Sequence, residues 1–150
     1  MNFQEAVAVL AAESQQDLSP DADGLVQLEC DSDMTLTAFS PDGSQALYLT
    51  VSVMELPQPV DPAIYERMLK MNFLLMDTRG AALSLDEEGQ QVHLCLCLPL
   101  EWLNAEALSG AVSELIETAS RVQAELHTPT SSAAGQTYSG EQLPFESHRV

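Results

Sequence analysis

Asp61-Pro62-Ala63-Ile64-Tyr65-Glu66-Arg67-Met68-Leu69-Lys70-Met71-Asn72-Phe73-Leu74-Leu75-Met76 is the stretch that decides how this chain folds. Asp61 suits an N-cap, and Pro62 the first helical position, where a missing N–H is harmless. Asp77 and Gly80 stop the run. On a wheel of ~3.6 residues per turn, Glu66, Arg67, Lys70 and Asp77 share one narrow sector. The apolar positions spread over roughly 200°, twice the ~100° stripe that one core requires. Such a helix needs two neighbours. Ile64, Met68, Met71 and Leu75 would meet one, and Tyr65, Leu69, Asn72, Phe73 and Met76 the other. The wheel does not say which row faces a sheet. In so short a chain the second neighbour is another copy of the protein or a bound client.

Outward from this helix, the spacing predicts strands on both sides. Upstream, Leu25–Cys30 alternates with Val26, Leu28 and Cys30 on one side, and Met34–Phe39 follows after an aspartate-rich turn. Ser40-Pro41-Asp42-Gly43 is a turn, and Ala46–Met54 is the clearest strand, with Leu47, Leu49, Val51 and Val53 facing one way. Residues 3–13 form an amphipathic helix that presents Phe3, Ala6, Val7, Leu10 and Ala11. Downstream, Ala82–Leu85 and Gln91–Leu98 flank a hairpin loop at Asp86-Glu87-Glu88-Gly89. Asn104 caps a last helix to about Leu126, with Leu108, Val112, Leu115, Ile116, Ala119, Val122 and Leu126 at helical spacing. The order helix, three strands, helix, two strands, helix, with hairpin-length loops, predicts an antiparallel sheet of the α+β class. Residues 1–127 form one domain, and 128–150 a flexible tail too poor in apolar surface to order itself. Within that tail Leu143-Pro144-Phe145 is a candidate docking patch.

Charge excludes several functions. Among 150 residues, 23 acidic side chains oppose 5 basic ones, for a net charge of −18. No Lys or Arg precedes Arg67, while ten Asp or Glu residues lie in the first sixty. That surface repels phosphate backbones and anionic lipid, so neither nucleic acid nor membrane is an expected partner. An acidic mimic of nucleic acid would gather its carboxylates on one face, whereas these are dispersed. The N-terminus has no basic, apolar signal region, and no apolar run approaches the span of a membrane helix. Three cysteines are too few for a disulfide framework, which points to a reducing cytoplasm.

Chemical motifs are sparse. His93, Cys95 and Cys97 alternate along one strand and share a face, with Cys30 a conceivable fourth soft ligand. Zinc sites take paired ligands from tight turns, however, and no such knuckle occurs. Core filling is therefore the expectation for these side chains, with no metal and no cofactor. Neither His127 nor His148 is near a positioned nucleophile, Ser109-Gly110 is mid-helix, and there is no glycine-rich phosphate loop. No catalytic residue is predicted, and no enzymatic activity.

The motifs do resemble a known family. Met68-Leu69-Lys70-Met71-Asn72-Phe73, then Gly80-Ala81-Ala82-Leu83-Ser84-Leu85-Asp86, Leu98-Pro99-Leu100 and Leu103-Asn104-Ala105-Glu106-Ala107-Leu108 are similar to the small acidic chaperones of bacterial type III secretion, over roughly residues 1–127. The resemblance implies a cytoplasmic homodimer that binds the N-terminal segment of a secreted effector and keeps it non-globular before export. It implies no nucleotide use. The same-fold alternative is a regulatory protein that sequesters a secretion component or a transcriptional regulator. The dimer seam is expected at Tyr65, Met68, Leu69, Met71, Asn72, Phe73 and Met76. Effector-binding strips are expected at Phe3, Val7, Leu10, Leu28, Leu36 and Phe39.

Overall fold

Local signals place the helices. The structure, a computed structural model, describes residues 1–31 and 33–129. Helix α1 (Phe3–Ser14) begins at Asn2, whose side chain accepts the Glu5 N–H at 2.9 Å while the Glu5 carboxylate accepts the Asn2 N–H at 2.8 Å. That reciprocal box satisfies two otherwise orphaned end donors. Helix α2 (Pro62–Met71) starts at Asp61, whose carboxylate accepts the Ala63 N–H at 2.9 Å. Helix α3 (Ala105–His127) is capped by Asn104, which accepts the Ala107 N–H at 2.8 Å.

Among the described residues, five antiparallel strands follow the apolar alternation: β1 (Val26–Glu29), β2 (Thr35–Phe39), β3 (Ala46–Glu55), β4 (Ala82–Leu85) and β5 (Gln91–Pro99). The expected α+β class and element order hold. The spatial order is β1-β2-β3-β5-β4, so α2 and β4 form an excursion before β5 returns to pair with β3. Leu36, Ala38, Leu47, Leu49, Val51, Val92 and Leu94 fill one face of the sheet and are fully buried. The stripe Leu108, Val112, Leu115, Ala119, Val122 and Leu126 of α3 joins that core, and α1 packs on α3 through Ala6, Val7 and Leu10. Burying each large side chain is worth about 1.5–3 kcal/mol, which makes this layer the stable half of the molecule. The register of β3 against β5 shifts between Ser52 and Met54, and the Gln123 side chain of α3 donates to the Val53 carbonyl there at 2.8 Å.

Two expectations are corrected. Periodicity carries the middle helix to Met76, but α2 ends at Met71 and a short 3-10 turn spans Phe73–Leu75, with Leu74 at φ 55° and Leu75 at φ 54°. The cause is Asn72, whose side-chain oxygen accepts the Leu83 N–H at 2.8 Å and whose amide donates to the Leu83 carbonyl at 3.0 Å. Asn72 thereby caps the outer edge of β4, and the helix gives way beyond it. The second correction concerns His93, Cys95 and Cys97, which do not fill the core. They share a face as expected, but it is the face opposite α3, opposed across β3 by Ser52, Thr50 and Tyr48.

Candidate partner-binding surfaces

The first surface is built by α2 and the turn after it. Ile64, Met68 and Met71 enter the core of their own chain, while Leu69, Phe73, Leu74 and Met76 are each 70–74% exposed. Tyr65 and Leu69 border a hollow of about 260 Å³ whose opposite wall is Leu83, Ser84 and Leu85 of β4. Four large apolar side chains that adjoin in sequence and all face solvent mark an interaction site, because single soluble subunits rarely leave such patches open. The segment is held firmly from behind. The Arg67 guanidinium donates to the carbonyls of Thr128 (2.7 Å) and Glu125 at the end of α3, and Arg121 of α3 donates to the Asp77 carbonyl. Arg79 pairs with Glu117 at 2.9 Å and Glu114 at 3.5 Å. Three of the few cations are thus spent fixing this segment to α3.

Of the seven residues expected at a seam, the structure puts Leu69, Phe73 and Met76 at the surface, Tyr65 partly buried against the core, Met68 and Met71 inside, and Asn72 on the edge of β4. Leu74, absent from that expectation, is exposed because its left-handed backbone turns it away from the helix wheel on which it was placed. Trp102, in a turn after β5, is 78% exposed, and nothing in the local pattern singled it out.

The second surface is a groove of about 350 Å³ between the end of α1, the edge strand β1 and the middle of α3. Leu10, Leu28, Val112 and Ile116 provide its apolar lining, and Glu13, Glu29 and Asp31 its rim. Burial raises the pKa of the Cys30 thiol beside it, so that sulfur stays protonated at neutral pH. The six residues expected on effector-binding strips do not form one surface. Leu10 and Leu28 meet at the base of this groove but are themselves buried in the core. Phe3 borders a separate hollow with Met1, Leu100 and the Ser40–Gln45 turn. Val7 lies within the core because α1 docks on α3 through its row, and Leu36 because it sits on the buried face of the sheet in β2. Phe39 stacks on Tyr48 on the opposite sheet face, with ring centroids 5.1 Å apart.

That opposite face carries the soft side chains. Cys95 Sγ lies 3.1 Å from Ser84 Oγ, and partial burial lowers the His93 pKa, an effect partly offset by the Asp86 carboxylate. Among the described residues, no three His, Cys, Asp or Glu side chains are placed to hold a metal ion, and no helix is long and apolar enough to cross a membrane.

The fold is shared with proteins solved in complex with partners. The ExsC–ExsE complex aligns with a TM-score of 0.68 at 20% identity over 88% of this chain and 100% of that one. The HopA1–SchA chaperone–effector complex gives 0.63 at 20% identity, over 81% and 93%. The heterodimeric ExoU–SpcU complex from the type III secretion system of Pseudomonas aeruginosa gives 0.61 at 17% identity, over 81% and 97%. At these identities the likeness is one of fold alone, and the class it defines is an α+β protein with three helices on a five-stranded antiparallel sheet. No curated protein matches the sequence. Residues 5–123 match the Tir chaperone protein (CesT) family, and the chain belongs to that family.

Proposed function

We propose that this chain is a cytoplasmic, non-catalytic chaperone that pairs with a second copy of itself and holds the N-terminal segment of a type III secretion effector in a soluble, non-globular form. One observation carries the reading. A chain of this family leaves Leu69, Phe73, Leu74 and Met76 in water, although its own core is complete. A pair of such patches, related by a two-fold axis, covers itself and leaves the α1–β1 side of each subunit free for a client. Family membership and the partner-bound structures of similar fold support the client as a secreted effector. The acidic surface supports a client that carries basic side chains, because unlike potentials favour encounter and like potentials suppress wrong partners.

Co-expression with candidate effectors from the same bacterium, followed by mass spectrometry of whatever co-purifies, tests the reading. A stoichiometric complex with an effector whose N-terminal segment becomes protease-resistant is the expected result. Co-purification with none of them would reject the assignment.

A further inference from the structure

The interior of this protein is almost wholly apolar. Among the described residues, Thr78 and Thr118 are the polar residues that are buried, at 1% and 2% exposure, and neither hydroxyl has a hydrogen-bond partner among those residues. They come from distant parts of the chain, Thr78 from the loop that follows the Phe73–Leu75 turn and Thr118 from the middle of α3. A threonine within a helix ordinarily satisfies its hydroxyl at the carbonyl four residues earlier. Ser109 and Ser120 of α3 do so at 2.8 and 3.0 Å, and Thr128 just beyond its end at 3.0 Å. Thr118 does not. A buried hydroxyl without a partner opposes folding, so folded proteins rarely keep one, and here there are two.

Both threonines line the same small cavity, of about 10 Å³, between the loop and α3. Ala81 and Leu115 contribute apolar wall, and Arg79 and Glu114, an ion pair at 3.5 Å with both side chains about half exposed, form its solvent side. A buried water needs roughly 10–15 Å³ and ~2–4 polar partners, so this space suits one water and nothing larger. Around it the loop is already tied to α3 at the surface, through Arg121 to the Asp77 carbonyl and Arg79 to Glu117. Thr78 lies between those ties and is turned inward. Its carbonyl accepts the Ala81 N–H at 3.1 Å, which satisfies that carbonyl and leaves the side chain as the open group.

We propose that Thr78 and Thr118 form a binding site for a single internal water, which bridges their hydroxyls and fastens the loop after α2 to α3 from within. A hydroxyl both donates and accepts, as does water, so the bridge forms with either polarity at each end. The joint is a polar point in an apolar layer, directly behind the segment that leaves Phe73, Leu74 and Met76 in solvent. It sets the depth at which that segment sits on α3, and it does so without any charge.

Thr78→Val and Thr118→Val test it on the full chain, because each keeps the side-chain shape and removes only the hydroxyl. With a bridging water, either variant strands the opposite hydroxyl, and urea denaturation at fixed protein concentration should show the folding equilibrium constant reduced roughly 3- to 10-fold. The double variant leaves no polar group to satisfy, and its stability should lie closer to the wild type than that of either single variant. NMR of the wild type should find a long-lived water by cross-relaxation with the Thr78 and Thr118 methyl groups, and the signal should vanish in the double variant. Single variants more stable than the wild type would show that the hydroxyls are unbonded, and would overturn the proposal. Losses that multiply in the double variant would overturn it too, since each hydroxyl would then bond elsewhere. Recovery in the double variant without the water signal would mean that the two hydroxyls bond each other directly, and no water site exists. Should a variant fail to fold, the wild-type water signal decides alone: its presence upholds the site and its absence removes it.

Discussion

Helices α2 and α3 obey the same spacing rule and meet opposite fates. Leu108, Val112, Leu115, Val122 and Leu126 of α3 are buried by the sheet or α1, and only Ile116 of its apolar stripe is left half open. In α2 only Ile64, Met68 and Met71 find cover, while Leu69, and Phe73, Leu74 and Met76 in the turn after it, are left in solvent. The difference lies in position. α3 crosses the broad face of the sheet over β3, whereas α2 lies beside the edge strand β4, which shields only one of its sides. A helix at a sheet edge keeps a second face for another molecule, and a helix on the sheet does not.

Substitutions break this contrast in order of size. Leu69→Glu combined with Phe73→Glu should weaken self-association by at least about a hundredfold, since two large apolar contacts worth about 1.5–3 kcal/mol each are replaced by charge. Light scattering should then report a monomer with an unchanged circular dichroism spectrum. A folded, dimeric double variant would move the seam elsewhere. In the covered half, Leu94→Ala should lower unfolding stability by roughly 2–5 kcal/mol through a cavity at the centre of the sheet, seen by urea denaturation at fixed protein concentration. Asn72→Ala, at the boundary between the halves, should cost about 1–3 kcal/mol by orphaning the Leu83 N–H and carbonyl, with faster amide exchange at Leu83.

The smallest effect concerns pH. The folded-state pKa of His93 is depressed, so the unfolded chain binds its proton more readily, and stability falls as pH drops through the ordinary histidine value near ~6.5. Thermal melts between pH 7.5 and 5.5 should show this decline, and His93→Gln should flatten it. An identical decline in the variant would assign the effect to other groups.

Much of this architecture was legible beforehand, for definite reasons. Leu47, Leu49, Val51 and Val53 alternate so cleanly that only a strand satisfies them, and Asn104 with the Leu108–Leu126 stripe specifies a capped helix. The exposed row of α2 was foreseeable because its apolar arc is too wide for one core. Periodicity does not record a side chain that leaves its own helix, and so it missed the break at Asn72. Nor does alternation distinguish a buried face from an open one when both carry uncharged residues, which is why Cys95 and Cys97 were expected inside. Gln16, whose side-chain amide bonds the Glu29 N–H and carbonyl, gave no local signal, because that contact joins it to a strand beyond a loop.

The pairing of β3 with β5 joins residues far apart in the chain, from Glu55 with Gln91 to Ala46 with Pro99. A ribosome making this protein therefore releases β3 well before the strand that completes its ladder. Until β5 emerges, the most apolar strand of the molecule has one raw side, open to neighbouring nascent chains. Sheets closed by such distant partners form slowly, so the interval in which the young polypeptide is most prone to aggregate is set by the length of the α2–β4 excursion.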